Sequence, residues 1–298
     1  MFLNWSKDGP KTKELDRAVM LCIAADNMSL RSVENPGFRH LLKTAAPQYH
    51  LKKRNHFSRV ELPLLYDECD KKLREELEAV DHLSISFDLF SDSNNSHQVL
   101  GVIAHYLVDG LPTFRVLGNI DMKCEEHTGV NIKDNLEDLL KKYNVEEKVV
   151  ACVRDGASNV VLAGKLMGIE HWDCLSHKIH LASKEGTEAF IGLKEILEKM
   201  KKIVRKLHKS ATAKRELEAI QELLEIPSLT LVKMCDVRWG SLHDMFNRAL
   251  KVKPALVPLI KQHDEWDTKL SAGDWDTVTA IRDLLAPLVQ ATKFTEVQ

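Results

Sequence analysis

The stretch His82-Leu83-Ser84-Ile85-Ser86-Phe87-Asp88-Leu89-Phe90-Ser91 decides the fold. Leu83, Ile85, Phe87 and Leu89 alternate with Ser84, Ser86, Asp88 and Phe90, which is the period of a β-strand. Residues 99–108 form a nearly unbroken apolar run containing Gly101 and His105, as a buried central strand requires. Asp109-Gly110 then signals a hairpin into a third strand over residues 113–120. A helix follows, with Ile132, Leu136, Leu139, Leu140 and Tyr143 on one face and Thr128 placed to cap it. Residues 149–153 read as a fourth strand, a helix begins near Ala157, and residues 170–174 suit a short fifth strand. The predicted order is β-β-β-α-β-α-β-α.

Three antiparallel strands, a helix and a strand parallel to the first make the element order of an RNase H-like core. The expected fold is therefore α/β, a mixed five-stranded sheet with helical additions at both ends. In that topology the fourth strand lies beside the first. Asp88, on the first strand, and Asp155, at the end of the fourth, then meet at the sheet. Neighbouring strands are about 4.8 Å apart, so two such carboxylates can share a hard divalent cation, Mg²⁺ or Mn²⁺. Two such ions can activate a water or hydroxyl and stabilise the leaving oxygen of a phosphodiester. Each aspartate also has a plainer reading. Asp88 can simply end a strand before Ser91-Asp92-Ser93-Asn94-Asn95, and Asp155 can cap the helix after Gly156.

On either side of this core (residues 81–187) the pattern becomes helical. In residues 1–80, Leu15, Val19, Ile23 and Ala24 recur at helical spacing, as do Leu64, Leu65, Cys69, Leu73 and Leu77. In residues 188–298, Leu193, Ile196, Leu197, Met200, Ile203, Val204 and Leu207 form an amphipathic stripe. Pro254, Pro258 and Pro287 are expected to cut the remainder into short helices. Between Lys194 and Glu218 nine Lys/Arg face four Glu. That basic stretch, with Lys201, Lys202 and Arg205 at its centre, suits either contact with nucleic-acid phosphates or a solvated helix face.

The 298 residues carry 42 Lys+Arg against 44 Asp+Glu, a net charge of −2, so binding nucleic acid by overall charge is excluded while a local basic patch is not. The length suits one large core with additions, or two domains. No apolar run approaches a membrane span, and Lys7 and Asp8 stand where a signal peptide would be apolar. The six cysteines are scattered without a C-x-x-C pair, which fits a reduced intracellular chain and argues against a zinc finger within it. His171, Cys174, His177 and His180 recur every third residue, a spacing that cannot converge on one metal along a continuous helix. Gly164-Lys165 lacks the residues of a P-loop. Lys52-Lys53-Arg54 is a weak nuclear-import signal.

Several motifs in one order resemble the hAT-superfamily transposases and their domesticated relatives, which often carry BED-type zinc fingers. Phe87-Asp88-Leu89-Phe90-Ser91 resembles the family's first-acid motif, with Phe90 where Trp is usual. His127-Thr128-Gly129 with Asn131-Ile132 resembles its H-T-G-x-N-I helix start, and Arg154-Asp155-Gly156-Ala157-Ser158-Asn159 its second-acid motif. Cys174-Leu175-Ser176-His177 resembles its C-x-x-H, and Asp236-Val237-Arg238-Trp239-Gly240-Ser241 its R-W-N-S. Residues 33–38, followed by Leu41-Leu42, look like the helical segment that precedes the core.

The resemblance implies metal-dependent DNA strand cleavage and transfer by an Asp-Asp-Glu triad, with DNA and other copies of the protein as partners. It assigns Asp88 and Asp155 as the two aspartates and places His177 near the scissile phosphate. It also places Trp239 against a displaced base, where an indole offers a sequence-tolerant stacking face. Arg238 then contacts phosphate or an acid such as Asp236. The family's Glu is expected beyond a large helical insertion that would begin near residues 284–288, and Glu296 is not at its position. The leading expectation is a nuclear, DNA-associated, transposase-derived protein, truncated or domesticated, without efficient catalysis of its own. An active transposase of which this is one part, and a non-enzymatic interaction or transcription-regulatory module, are the alternatives.

Overall fold

The computed structural model describes residues 5–91, 98–122, 126–235 and 240–296. The chain divides into two units, residues 1–126 with 131–152, and residues 127–130 with 153–298, so the division passes through the fourth strand.

The first unit opens with helices. α1 (Pro10–Ala25) and α2 (Pro36–Ala45) each begin on a proline, whose missing N–H costs nothing in a first turn. α3 (Arg54–His56) runs into a π-helical turn, Phe57–Glu61, and then α4 (Leu62–Glu78). Pro63 explains that turn. It has no N–H to offer the Arg59 carbonyl, and its ring crowds that oxygen. The ladder widens instead, with Leu62 N–H bonding the Phe57 carbonyl. Val19, Met20, Ile23, Val33 and Phe57 close a small core among these helices.

The sheet begins with β1 (Leu83–Ser91), β2 (Gln98–Val108) and β3 (Leu111–Asp121). Ser84 pairs with His105 and Asp88 with Gly101 across the first antiparallel ladder, and Gly101 pairs with Asn119 across the second. The β2–β3 hairpin turns at Asp109 and Gly110, whose φ of 51° and 76° match the strands' twist. Alternation buries Leu83, Ile85, Phe87, Leu100, Val102, Ala104 and Tyr106 on one face. α5 (Gly129–Tyr143) covers that face with Ile132 and Leu136. Gly118 permits the approach, because a Cβ there would lie 3.1 Å from Leu139 Cδ1. α4 is tied to the sheet by the Tyr106 hydroxyl donating to Glu76 at 2.8 Å, and to α5 by the Tyr143 hydroxyl donating to Asp70 at 2.9 Å.

β4 (Val149–Arg154) and β5 (Glu170–Asp173) complete a five-stranded mixed sheet in the order β3-β2-β1-β4-β5, as the sequence pattern predicts. The second unit continues with α6 (Ser158–Leu166), α7 (Leu175–Glu188), α8 (Leu193–Lys209) and α9 (Ala211–Leu223). α10 (Gly240–Gln262) and α11 (Ala272–Glu296) follow. The stripe on α8 packs with Met245, Phe246, Leu256 and Val278 in one helical core. Here the structure corrects the sequence reading. Pro254 and Pro258 lie within α10, and Pro287 within α11, without ending either helix. Pro254 and Pro287 are on exposed turns, where water can satisfy the carbonyls they orphan, while Val252, Ala255, Leu256 and Leu259 anchor the helix.

Candidate functional site

Asp88 lies on β1, in the first unit, and its side chain is exposed. It stands opposite the apolar row of Ile85 and Phe87, so the burial of those neighbours places no demand on its charge. On the same open face, Ser86 and the half-buried His105 share a 2.7 Å hydrogen bond. Burial holds the His105 imidazole below its ordinary pKa.

Asp155 immediately follows β4, the neighbour of β1 in the strand order. Its Oδ1 accepts the Ala157 N–H at 3.0 Å, which closes a turn ahead of α6; Ala157 is the N-cap of that helix, so the plain reading of Asp155 as its cap does not hold. That bond also fixes the carboxylate. The loop carrying it is built on Arg154, which is 5% exposed. Arg154 Nη1 donates to the Asp155 carbonyl at 2.9 Å and pairs with Asp173, while Nη2 meets His171 Nδ1 at 3.0 Å. Asp173 also meets Lys178 Nζ at 2.6 Å. Hydrogen bonds first from Lys178 and then from Arg154 pull its pKa down to about 2. The sequence reading missed Arg154. Its signal is a guanidinium closing the apolar strand Val149–Arg154, where burial requires a paired charge.

The helix-start and second-acid motifs prove to be one packing unit. Asn159 Nδ2 donates to the His127 carbonyl at 2.9 Å, and Asn131 Nδ2 to the Glu126 carbonyl at 2.8 Å. Gly129 sits so tightly on α6 that a Cβ there would lie 2.7 Å from Leu162 Cβ and 2.9 Å from the Asn159 carbonyl.

His177, in the first turn of α7, stands beside this loop. Its ring atoms Cδ2 and Nε2 lie 3.9 Å from the position a Cβ on Gly156 would take. Its ring stacks on His180, with centroids 6.2 Å apart and planes at 16°. Cys174 is a half-buried cap at the start of α7, and His171 lies on β5 facing Arg154. From His180 the α7 surface leads into a cavity of about 530 Å³. Leu197, Leu242 and Leu285 give it an apolar lining, and Lys184, Lys194 and Lys201 supply cations that Glu188 and Glu198 partly offset.

The three central cations of α8 do not form one patch. Lys201 lines the cavity beside α7, whereas Lys202 and Arg205 line a separate groove of about 790 Å³. That groove also holds Glu195, Glu198 and Asp267, which offset much of its positive charge. Arg238, Trp239 and Asp236 lie outside the described residues.

A family model described as the ZBED1 RNase-like helical domain matches residues 172–284. The human zinc finger BED domain-containing protein 4 is 23% identical over 95% of this chain and 25% of its own length. A Zea mays protein named as an AC transposase is 23% identical over 80% of this chain and 31% of its own. A Talaromyces stipitatus protein named as the transcriptional regulator tpeD is 22% identical over 91% and 36%. The chain thus spans between a quarter and about a third of the length of these curated relatives. Among the described residues no helix is long and apolar enough to cross a membrane. The chain is thus similar, in its strand order, in its motifs and over most of its length, to the hAT transposases and to BED-type zinc finger proteins.

Proposed function

We propose that this transposase-derived chain is a nuclear, DNA-associated protein that holds DNA along α7 of its second unit. The observation that carries the reading is the continuity along that helix. Asp155 is fixed by its own turn, His177 lies against the next residue, His180 stacks on His177, and the lysine-rimmed cavity follows. The cavity's size and its apolar lining beneath cations suit an unstacked base and its phosphate. Asp88 and Asp155 offer the hard carboxylate oxygens that Mg²⁺ or Mn²⁺ prefers, and one oxygen of Asp155 is already committed to Ala157 N–H. When bound, such an ion supplies charge neutralisation at phosphate. What these residues themselves supply is two carboxylates, with His177 beside the second. Efficient strand cleavage is assigned to a full Asp-Asp-Glu set rather than to this pair. Assembly with other copies belongs to the same reading.

Fluorescence anisotropy with single- and double-stranded oligonucleotides tests DNA association. Affinity is expected to fall steeply as salt rises, and to drop with Lys194→Glu plus Lys201→Glu. A salt-independent signal, or none, would sink the reading. Mn²⁺ binding followed by electron paramagnetic resonance is expected to be weak and to be lost in Asp88→Asn. One observation favours a second reading as an interaction module. The groove at Lys202 and Arg205 interleaves cations with Glu195, Glu198 and Asp267, a mixed-charge surface that suits a protein partner. Lys202→Glu leaving DNA affinity unchanged would agree with that division of labour.

A further inference from the structure

The π-helical turn of the first unit creates a cluster that the DNA reading does not use. His56 precedes the turn and Glu61 ends it, five residues apart. In an ordinary α-helix that separation points two side chains 140° apart. The widened turn brings them together, with His56 Nε2 2.9 Å from Glu61 Oε1. From α1, Asp16 Oδ2 reaches to 3.8 Å from the same imidazole nitrogen. The three ligand atoms lie within 4.8 Å of one another, and Asp16 is fully buried. Irregular helical turns of this kind recur at functional sites.

The surroundings orient the cluster. The Tyr49 hydroxyl donates to Asp16 Oδ1 at 2.5 Å, which engages that oxygen and turns Oδ2 toward His56. Oδ2 is buried and receives no aligned hydrogen bond. Its charge is met by Lys52 Nζ at 2.8 Å, which also lies 3.9 Å from the exposed Asp8. Lys52 offsets one of the cluster's two carboxylate charges, and it has a further carboxylate, Asp8, to which it can move.

We propose that Asp16, His56 and Glu61 form a Zn²⁺ site in which Lys52 is the resident cation that the metal displaces toward Asp8. Imidazole nitrogen and carboxylate oxygen are both zinc donors, and three protein ligands leave the fourth tetrahedral position to solvent. Zinc–ligand bonds near 2.0–2.1 Å set tetrahedral neighbours about 3.3 Å apart. The His56–Glu61 contact must open, and the His56–Asp16 contact close, by about half an ångström each to reach that spacing. Tyr49 acts as an orienting partner of the ligand Asp16. The site shares no residue with Asp88 or Asp155 and stands or falls apart from the DNA reading.

The test is calorimetric titration of the whole chain with Zn²⁺ under reducing conditions. Co²⁺ absorption runs in parallel to detect thiolate ligation, because Cys22, Cys69 and Cys235 are exposed. The expected result is one site without a thiolate charge-transfer band, lost in His56→Ala and in Glu61→Gln. Tyr49→Phe should weaken it about tenfold or more, as loss of an orienting partner does. Lys52→Met separates a metal site from a mere ion-pair knot. Without metal it should melt lower than the parent, since Asp16 is left uncompensated, and Zn²⁺ should restore it. Unchanged Zn²⁺ affinity in both His56→Ala and Glu61→Gln, a thiolate band, or no rescue of Lys52→Met would overturn the proposal.

Discussion

Gly129 shows how much a single atom decides. A methyl group there would collide with backbone as well as with a side chain, so the chain at Gly129 would have to move off α6. Gly129→Ala is expected to destabilise the chain by about 1–3 kcal/mol, measured by urea unfolding. Asp173 gives a pH prediction of definite sign. Its folded pKa, about 2, lies below that of an unfolded aspartate. The contribution is therefore present above about pH 4 and is lost as pH falls toward 2. NMR titration should find this carboxyl still ionised near pH 3, and Lys178→Ala should raise its midpoint. At this scale the sequence was legible where chemistry is carried by residue type. Asp155, His177 and Gly129 could all be named from their motifs. Arg154 stood in a motif too, and its place at the end of an apolar strand hints at burial, but its partner Asp173 is a tertiary fact that no local spacing reveals.

The strands of the sheet were legible because their alternation and the Asp109-Gly110 turn are local signals. The long helices were not, since proline's cost is intrinsic while the packing that overrides it is tertiary. α10 illustrates the conflict, with a buried row continuing past two prolines. Pro254→Ala is expected to stabilise the chain, by up to about 3 kcal/mol, because it restores an N–H on an exposed turn. A lower melting temperature would show that the proline's shape matters more than its missing donor. Just beyond α10, His263 joins α9 to the segment that follows. Its Nε2 faces Glu216 at 2.6 Å, its Nδ1 faces Glu265 at 2.9 Å, and its ring stacks on Trp266 at 4.4 Å. Glu216 first and Glu265 second raise its pKa. The imidazolium's contribution is complete below the unfolded value near 6.5 and disappears as pH rises through the higher folded value. Thermal melts of His263→Ala are expected to lose the part of the pH dependence that sets in above the unfolded value near 6.5.

Besides the sheet face under α5, the described residues include an apolar core around Val33 and Phe57 in the first unit and another around Met245, Phe246 and Leu256 in the second. Met245→Ala should cost about 2–5 kcal/mol. In differential scanning calorimetry that loss is expected to move the transition of the second unit and leave the first in place. A single transition shifting as a whole would show that the units melt together. The outermost strand of the sheet bears on handling the protein at all. β3 ends the strand order, and its Leu111, Phe114 and Val116 are all exposed. Such a border has spare amide groups and a greasy surface side by side, the combination that recruits a neighbouring polypeptide. Concentrated preparations should therefore cloud first by growth along this margin, and a lysine in place of Phe114 should keep them clear.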